Sequence, residues 1–215
     1  MCIKCLGLHS DLGVLVSTKH NKLLNELKPK GMGRASLIAA CMDSTCQYVL
    51  ALISKWANDF NAPIILWLKG FPGSGKSAVA LTLVDKLCGS HRLGLRFFFE
   101  RDNASRITTN ALWHTAAFDL TRQYPSFRKV VIDKLNEEVV DPDTLNINIL
   151  FRHLIENPLK MCTDIPPERV PVIVIDALDE CGGLDGYRSS DQQDLLDTMK
   201  RWSSLSSRFK LIVTS

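Results

Sequence analysis

Residues 64–80 read Ile-Ile-Leu-Trp-Leu-Lys-Gly-Phe-Pro-Gly-Ser-Gly-Lys-Ser-Ala-Val-Ala. The first five are apolar and rich in strand formers, so Ile64 to Leu68 predicts a buried strand. A glycine-rich turn follows, and a helix is expected to begin near Lys76. From Gly70 to Ser77 the chain fits G-x-x-x-x-G-K-S/T at every fixed position, the pattern of a phosphate-binding P-loop. The glycines let backbone N–H groups turn inward, at dihedral angles that a side chain disfavours. The start of the following helix adds unsatisfied N–H donors and partial positive charge. A glycine turn that merely contains Lys-Ser would lack the strand before it and the helix after it. Gly70, Phe71, Pro72, Gly73, Ser74, Gly75, Lys76, Ser77 and Ala78 are therefore the candidate phosphate-binding residues. Lys76 is expected to reach the β- and γ-phosphates, and the Ser77 hydroxyl to hold Mg²⁺.

A P-loop needs a metal-holding carboxylate across the sheet, and residues 170–180 supply a candidate. They read Val-Pro-Val-Ile-Val-Ile-Asp-Ala-Leu-Asp-Glu. β-Branched residues ending in Asp176 describe a central strand that carries an acid to the sheet's C-terminal edge, where Mg²⁺ is bound opposite the P-loop hydroxyl. Alone the pattern is weak. About a hundred residues after a complete P-loop it is strong.

Between these motifs, Leu95 to Phe99 predicts another buried strand, with Glu100-Arg-Asp-Asn103 at its ligand-facing end. Residues 110–161 are periodic in three helical pieces. Leu112, Ala116, Leu120 and Tyr124 mark the first, stopping at Pro125; Phe127, Val130, Val131 and Leu135 mark the second. Leu145, Ile149, Leu150, Leu154 and Ile155 mark the third, stopping at Pro158. His114 has no acidic or cysteine partner one turn away and His153 has only Glu156, too few for a ligand set, so both are expected to be packing or surface residues. Pro166-Pro167 reads as a linker and 182–186 as a glycine-rich loop. A helix is expected from about Asp191 to Leu205, and Phe209 to Thr214 predicts a last strand.

Ahead of the P-loop, residues 43–60 predict a helix capped by Asp43 or Ser44, with Val49, Leu50, Ile53, Trp56 and Phe60 on its inner face. Residues 1–40 form a leader in which Leu23, Leu24 and Leu27 mark one short helix ended by Pro29 and the Gly31/Gly33 pair. Cys2, Cys5 and His9 resemble half a zinc site, but no second half follows at a suitable spacing, so accident is the better reading.

Composition narrows the class. With 215 residues, 46% hydrophobic and 23% charged, the chain suits one α/β domain with a core and a short appendage. No apolar run approaches a membrane span, and no basic-then-apolar secretory layout is present. Seven scattered cysteines point to reduced thiols in the cytoplasm rather than a disulfide framework. Net charge is +3, and residues 1–35 hold six of the basic side chains against two acids. Those basic residues are dispersed, so no nucleic-acid surface is expected.

The combination of Ile65-Leu-Trp-Leu-Lys-Gly-Phe-Pro-Gly-Ser-Gly-Lys-Ser77, Phe97-Phe-Phe-Glu-Arg-Asp102 and Val172-Ile-Val-Ile-Asp-Ala-Leu-Asp-Glu-Cys181 closely resembles the NACHT NTPases of the STAND class. The nearest form is the fungal NLR-like set, also described as nephrocystin-type N-terminal NTPase domains. The likeness runs from about Cys41 to Ser215, so the expected division is a leader, 1–40, and an NTPase domain, 41–215. It implies a three-layer α/β P-loop NTPase with a mainly parallel sheet, strands near 64–69, 95–99, 171–176 and 209–214, and the last of these between the P-loop strand and the Asp176 strand. It also implies an Mg-ATP/ADP switch that governs self-association or association with related NACHT proteins. By position, Lys76 and Ser77 bind phosphate and Mg²⁺, Asp176 coordinates the metal shell, and Asp179 orients the attacking water, with Glu180 as the fallback.

Three departures accompany the likeness. The Gly-Thr-Arg-like element before the first helix is matched here by Ser44-Thr45-Cys46. The sensor arginine after the last strand would fall past Ser215, and no lid follows, so the sheet is expected to be incomplete at its C-terminal end. Three readings follow: a nucleotide-binding module with slow hydrolysis at best, a non-catalytic fragment that associates with full-length relatives, and a generic AAA-type remodeller. The Ala-Leu-Asp-Glu-Cys wording and the three-helix insert count against the last.

Overall fold

The computed structural model describes residues 18–28, 40–41, 45–100, 108–166, 170–181, 190–205 and 209–215, excepting the side chain of residue 191. Four strands form its sheet: β1 (Ile65–Leu68), β2 (Leu93–Phe98), β3 (Val172–Asp176) and β4 (Lys210–Thr214). They run in the order β1-β4-β3-β2, and every pairing is parallel. The last strand therefore lies between the P-loop strand and the Asp176 strand, as the resemblance implied. Among the described residues β1 has a single strand neighbour, β4.

β3 and β4 are buried at every position, and alternation sorts their side chains to two sides of the sheet. Val172, Val174 and Ile212 join one cluster with Leu50, Ile53, Val79, Ala80 and Leu83. These helical residues belong to α2 (Gln47–Asn58) and α3 (Lys76–Gly89). Ile173, Ile175, Leu211 and Val213 join the other cluster. There they meet α4 (Thr109–Gln123), α5 (Pro125–Asn136) and α8 (Ser190–Trp202). Helix, sheet and helix make three layers, the arrangement that lets a parallel sheet hide both faces.

The leader contributes to this core. A helix, α1 (18–26), precedes the first P-loop-side element, and Leu24 and Leu27 are buried in the larger cluster. Arg128 donates to Asn21 Oδ1 at 3.0 Å. The proposed stop at Pro29 and the Cys2/Cys5/His9 group lie outside the described residues, as do 101–107 and the 182–186 loop.

Four expectations are corrected. α2 begins at Gln47 rather than 43 and ends at Asn58, which leaves Phe60 half-exposed outside it; its N-cap is Cys46, in a left-handed conformation. Asp43 and Ser44, the expected caps, lie outside the described residues. Pro125 starts α5 rather than only stopping α4, because a first-turn proline gives up an N–H that has no helical acceptor anyway. β2 starts two residues early, at Leu93, with an irregular register between Leu93 and Leu95. The third insert helix does not stop at Pro158. It runs from α6 (Ile147–Leu150) through a π-helical stretch (Phe151–Glu156) into α7 (Asn157–Met161).

The π-stretch explains that last correction. Proline cannot donate to the helical ladder, and its ring crowds the carbonyl four residues back. A wider turn just ahead of Pro158 relieves that crowding, so the helix passes through. Its inner face is Ile147, Leu150, Phe151, Leu154 and Ile155, whereas Leu145 precedes the helix and is exposed and Ile149 faces outward. Phe151 meets Trp113 at 4.8 Å between ring centroids, and Trp113 stacks on Trp202 at 5.9 Å and 12°. Trp113 Nε1 donates to Thr198 Oγ1, so the polar edge of this buried ring is satisfied. Burial of each such aromatic side chain is worth about 1.5–3 kcal/mol, which fixes the insert on α8.

At the opposite end of the sheet from the P-loop, Lys210 is buried at the start of β4. Its Nζ donates to the carbonyls of Asp59, Ala62 and Pro63 and lies 5.0 Å over the Trp56 ring. It thereby fixes the turn that leads from α2 into β1.

Candidate functional site

The C-terminal ends of parallel strands share one edge, so Leu68 and Asp176 emerge on the same side of the sheet. A row of hydrogen bonds ties that edge together. Ser215 N donates to Leu68 O, Gly70 N donates to Ser215 O, and Ala177 N donates to Thr214 Oγ1. The Thr214 hydroxyl in turn donates to Asp176 Oδ1 at 2.5 Å. The loop after β1 and the acid ending β3 are thus linked through β4, the strand between them.

The loop itself has the backbone shape its glycines allow. Gly73 and Gly75 have φ of +79° and +84°, in the left-handed region, and a Cβ on either would meet nothing within 4 Å. The constraint at these positions is backbone conformation, not crowding. Phe71, at 87% exposure, Pro72, Gly73 and Ser74 face outward, while Lys76, Ser77 and Ala78 are half-buried in the first turn of α3. Helix α3 opens at Lys76, with Gly75 as its N-cap and Val79 N donating to Gly75 O. The N–H groups of Lys76, Ser77 and Ala78 therefore stand in the first turn, where a helix provides no acceptors of its own. Lys76 Nζ donates to the carbonyls of Gly70 at 2.7 Å and Phe71 at 3.1 Å. The ammonium folds back over the loop it belongs to.

Asp176 is only 1% exposed and Thr214 likewise. Directly after Asp176, Ala177 adopts a left-handed conformation with φ of 54°, uncommon for a residue with a side chain. Its N–H is held by Thr214, and the bend turns the chain into a short 3-10 turn, Leu178–Glu180. Leu178 is buried beneath this turn, Asp179 is exposed and Glu180 is half-buried. Both candidate water-orienting acids thus sit on one turn beyond Asp176.

The donor set suits the group that the sequence implied. A hydroxyl at Ser77 and a carboxylate at Asp176 are hard oxygen ligands of the type Mg²⁺ prefers. The open space above Gly73 and Gly75, beside a lysine and a helix N-terminus, suits phosphate oxygens. Thr214 is the residue that sequence reading missed. It was legible only as the end of a strand, and its role follows from register. Ile175 pairs with Val213, so Asp176 and Thr214 are neighbours across the sheet.

His114 and His153 are placed in the helical insert, away from this edge. Burial, with Arg152 and Lys134 nearby, holds the His153 imidazole below its ordinary pKa. No group of three or more His, Cys, Asp or Glu side chains with metal-binding geometry occurs among the described residues. No described helix is long and apolar enough to cross a membrane.

A four-stranded parallel α/β sheet with a glycine loop at one strand end and a buried acid at another is compatible with a P-loop-like fold. The chain belongs to the nephrocystin 3, N-terminal family, which it matches over residues 44–215. It is also 29% identical over 182 residues to the vegetative incompatibility protein HET-E-1 of Podospora anserina, covering 80% of this chain. The chain spans 12% of that relative's length. No solved structure matches it.

Proposed function

We propose that the chain is a nucleotide-binding P-loop module of a STAND/NACHT signalling protein, taking ATP or ADP with Mg²⁺ and hydrolysing ATP slowly at best. The observation that carries this reading is the glycine loop: two left-handed glycines at the start of α3, on the same sheet edge as buried Asp176. The N–H groups of the loop and of α3's first turn would bind the phosphate oxygens. Lys76 would leave the Gly70 and Phe71 carbonyls and turn to the β- and γ-phosphates, exchanging two neutral acceptors for charged ones. Ser77 and Asp176 would hold Mg²⁺, which when bound supplies charge neutralisation across the transferring phosphoryl oxygens. Thr214 donates to Asp176 Oδ1 and so holds in place the carboxylate that would face the cation. Asp179 would orient the attacking water, with Glu180 as the second candidate on the same turn. The resemblance to NACHT proteins further suggests self-association or association with related chains.

Equilibrium binding of ATP and ADP with Mg²⁺, by calorimetry, tests the reading. Lys76→Ala is expected to lower affinity at least about tenfold, roughly 1.4 kcal/mol, with the fold intact by circular dichroism. Unchanged affinity in that variant would overturn the assignment. Turnover of Asp179→Asn and Glu180→Gln then ranks the two acids: a parent-like rate in the first with a loss in the second would reverse their roles.

A second reading has its own observation. β1 lies at the sheet edge among the described residues, and Trp67 on it is 43% exposed. An open edge can receive another strand, which favours an interaction fragment that associates with full-length relatives. Tight nucleotide binding with no Lys76-dependent turnover would favour it.

A further inference from the structure

The stretch just before α2 holds two cysteines that pack on one cluster and share a side-chain hydrogen bond. Cys41 and Cys46 are both half-buried, and their side chains are in hydrogen-bond contact. Each is also anchored. Cys41 N donates to Thr82 Oγ1 at 2.9 Å, and that hydroxyl donates to Ala78 O at 2.8 Å. Cys46 is the N-cap of α2, and its carbonyl accepts from Leu50 N. Both side chains pack on the cluster formed by α2, α3 and the sheet. The contact thus joins two separately held backbone positions, one tied to α3 through Thr82 and one at the start of α2. The remaining described cysteines differ: Cys88 is exposed, while Cys162 and Cys181 are buried. Cys162 hydrogen-bonds with Ser126 and Asp164.

We propose that Cys41 and Cys46 are a redox modification site that closes into a reversible intramolecular disulfide by exchange with a low-molecular-weight disulfide such as oxidised glutathione. The thiolate of one cysteine attacks a sulfur of the small disulfide, forms a mixed disulfide and expels one glutathione thiolate. The second cysteine, as thiolate, then attacks the protein sulfur of that mixed disulfide and expels the other. Two protein thiols are oxidised, one glutathione disulfide is reduced to two glutathione thiols, and the two protons released protonate them. Contact between the thiols favours the second step over release of the mixed disulfide, because the resolving sulfur is already beside the bond it must break. Five positions separate the two cysteines, so the bond closes a short loop and pins the start of α2 to the segment held on α3. The proposal is independent of nucleotide binding, since its readout is a covalent bond.

The sequence makes the test direct. Trypsin cutting after Arg34 and Lys55 releases one peptide, residues 35–55, containing both cysteines and no others. The full chain is incubated with oxidised glutathione, quenched by alkylation, digested and weighed. The expected product is this peptide lighter by two hydrogens and unalkylated, restored to two alkylated cysteines by dithiothreitol. Exposed Cys88 should appear as a glutathione adduct, which proves that the oxidant was active. In Cys46→Ser, the same peptide should instead carry one stable glutathione at Cys41. Two alkylated thiols in the 35–55 peptide while Cys88 is modified would overturn the proposal. So would a bond from either cysteine to Cys2, Cys5, Cys88 or a second chain.

Discussion

Replacing Thr214 by valine tests whether the row of hydrogen bonds along the sheet edge holds the site together. The two side chains are nearly the same shape, so the core around β4 keeps its packing. What disappears is a hydroxyl that donates to Asp176 Oδ1 and accepts from Ala177 N. A hydrogen bond to a charged group contributes about 1.5–3 kcal/mol, and a buried donor left without a partner costs about 1–3 kcal/mol. Asp176 and Thr214 are each 1% exposed, so water cannot readily replace either contact. The Ala177 N–H also loses the partner that holds its left-handed backbone. Together these place the loss at about 2–5 kcal/mol, a large part of the ~5–15 kcal/mol by which a domain is stable. Urea unfolding of the parent and Thr214→Val should show a lower midpoint with an unchanged slope, the signature of lost stability without a changed transition. Thr214→Ser should recover most of the loss. A double-mutant cycle with Asp176→Asn should give a coupling of about 1–3 kcal/mol. A change below about 0.5 kcal/mol in Thr214→Val would refute the reasoning, since it would mean that the hydroxyl is dispensable to a buried acid.

Two further outcomes follow from the geometry. Gly75→Ala should cost about 1–2 kcal/mol through its left-handed backbone alone, because a Cβ there meets nothing within 4 Å; a loss of more than about 3 kcal/mol in the same unfolding assay would point to crowding instead. Glu156 supplies a pH dependence. Burial works to raise its carboxyl, but hydrogen bonds from Lys160 and Arg201 outweigh burial and hold it below the ordinary range. Its folded pKa is depressed, so its contribution is complete above the unfolded carboxyl range near pH 4.5 and is lost as pH falls through the lower folded value. Unfolding midpoints from about pH 6 to pH 3 should therefore fall more steeply for the parent than for Glu156→Gln; parallel curves would contradict the pairing.

Much of the fold was legible because the central strands are buried on both sides. Residues 171–176 and 209–214 were expected as strands, and β3 and β4 occupy 172–176 and 210–214. Their apolar β-branched runs carry the signal without any need for alternation. The loop glycines were legible for a different reason: Gly73 and Gly75 occupy dihedral space that other residues avoid. Less legible were positions decided by contacts distant in sequence. Phe60 and Ile149 fit a helical period counted locally, but α2 ends before the first and the second faces away from the core. Leu145 lies outside the helix that Asn146 caps through its side chain. Pro158 suggests a stop by local rule, and only the preceding π-stretch shows how the helix continues. Thr214 could not be paired with Asp176 from composition or period, because the pairing follows from the offset between two strands 38 positions apart. The side-chain hydrogen bond of Cys41 and Cys46 likewise depends on where Thr82 and the α2 cap hold the backbone.

The strand order has a kinetic consequence. β1 is made early, yet its described neighbour in the sheet is β4, and Trp67 and Ser215, which meet through an indole N–H, stand 148 positions apart in the chain. Closing so long a separation is entropically slow, and such pairings delay folding relative to helix-rich segments of the same size. During synthesis the glycine loop and α3 would leave the ribosome well before the strand that fixes their position exists. The helical insert, whose contacts are closer in sequence, can consolidate in the interval. Placement of the glycine loop is thereby a late event, completed when β4 slots between β1 and β3 and Thr214 reaches Asp176. A chain interrupted before that strand would carry the whole glycine loop in its sequence while lacking the strand that sets it opposite its acid.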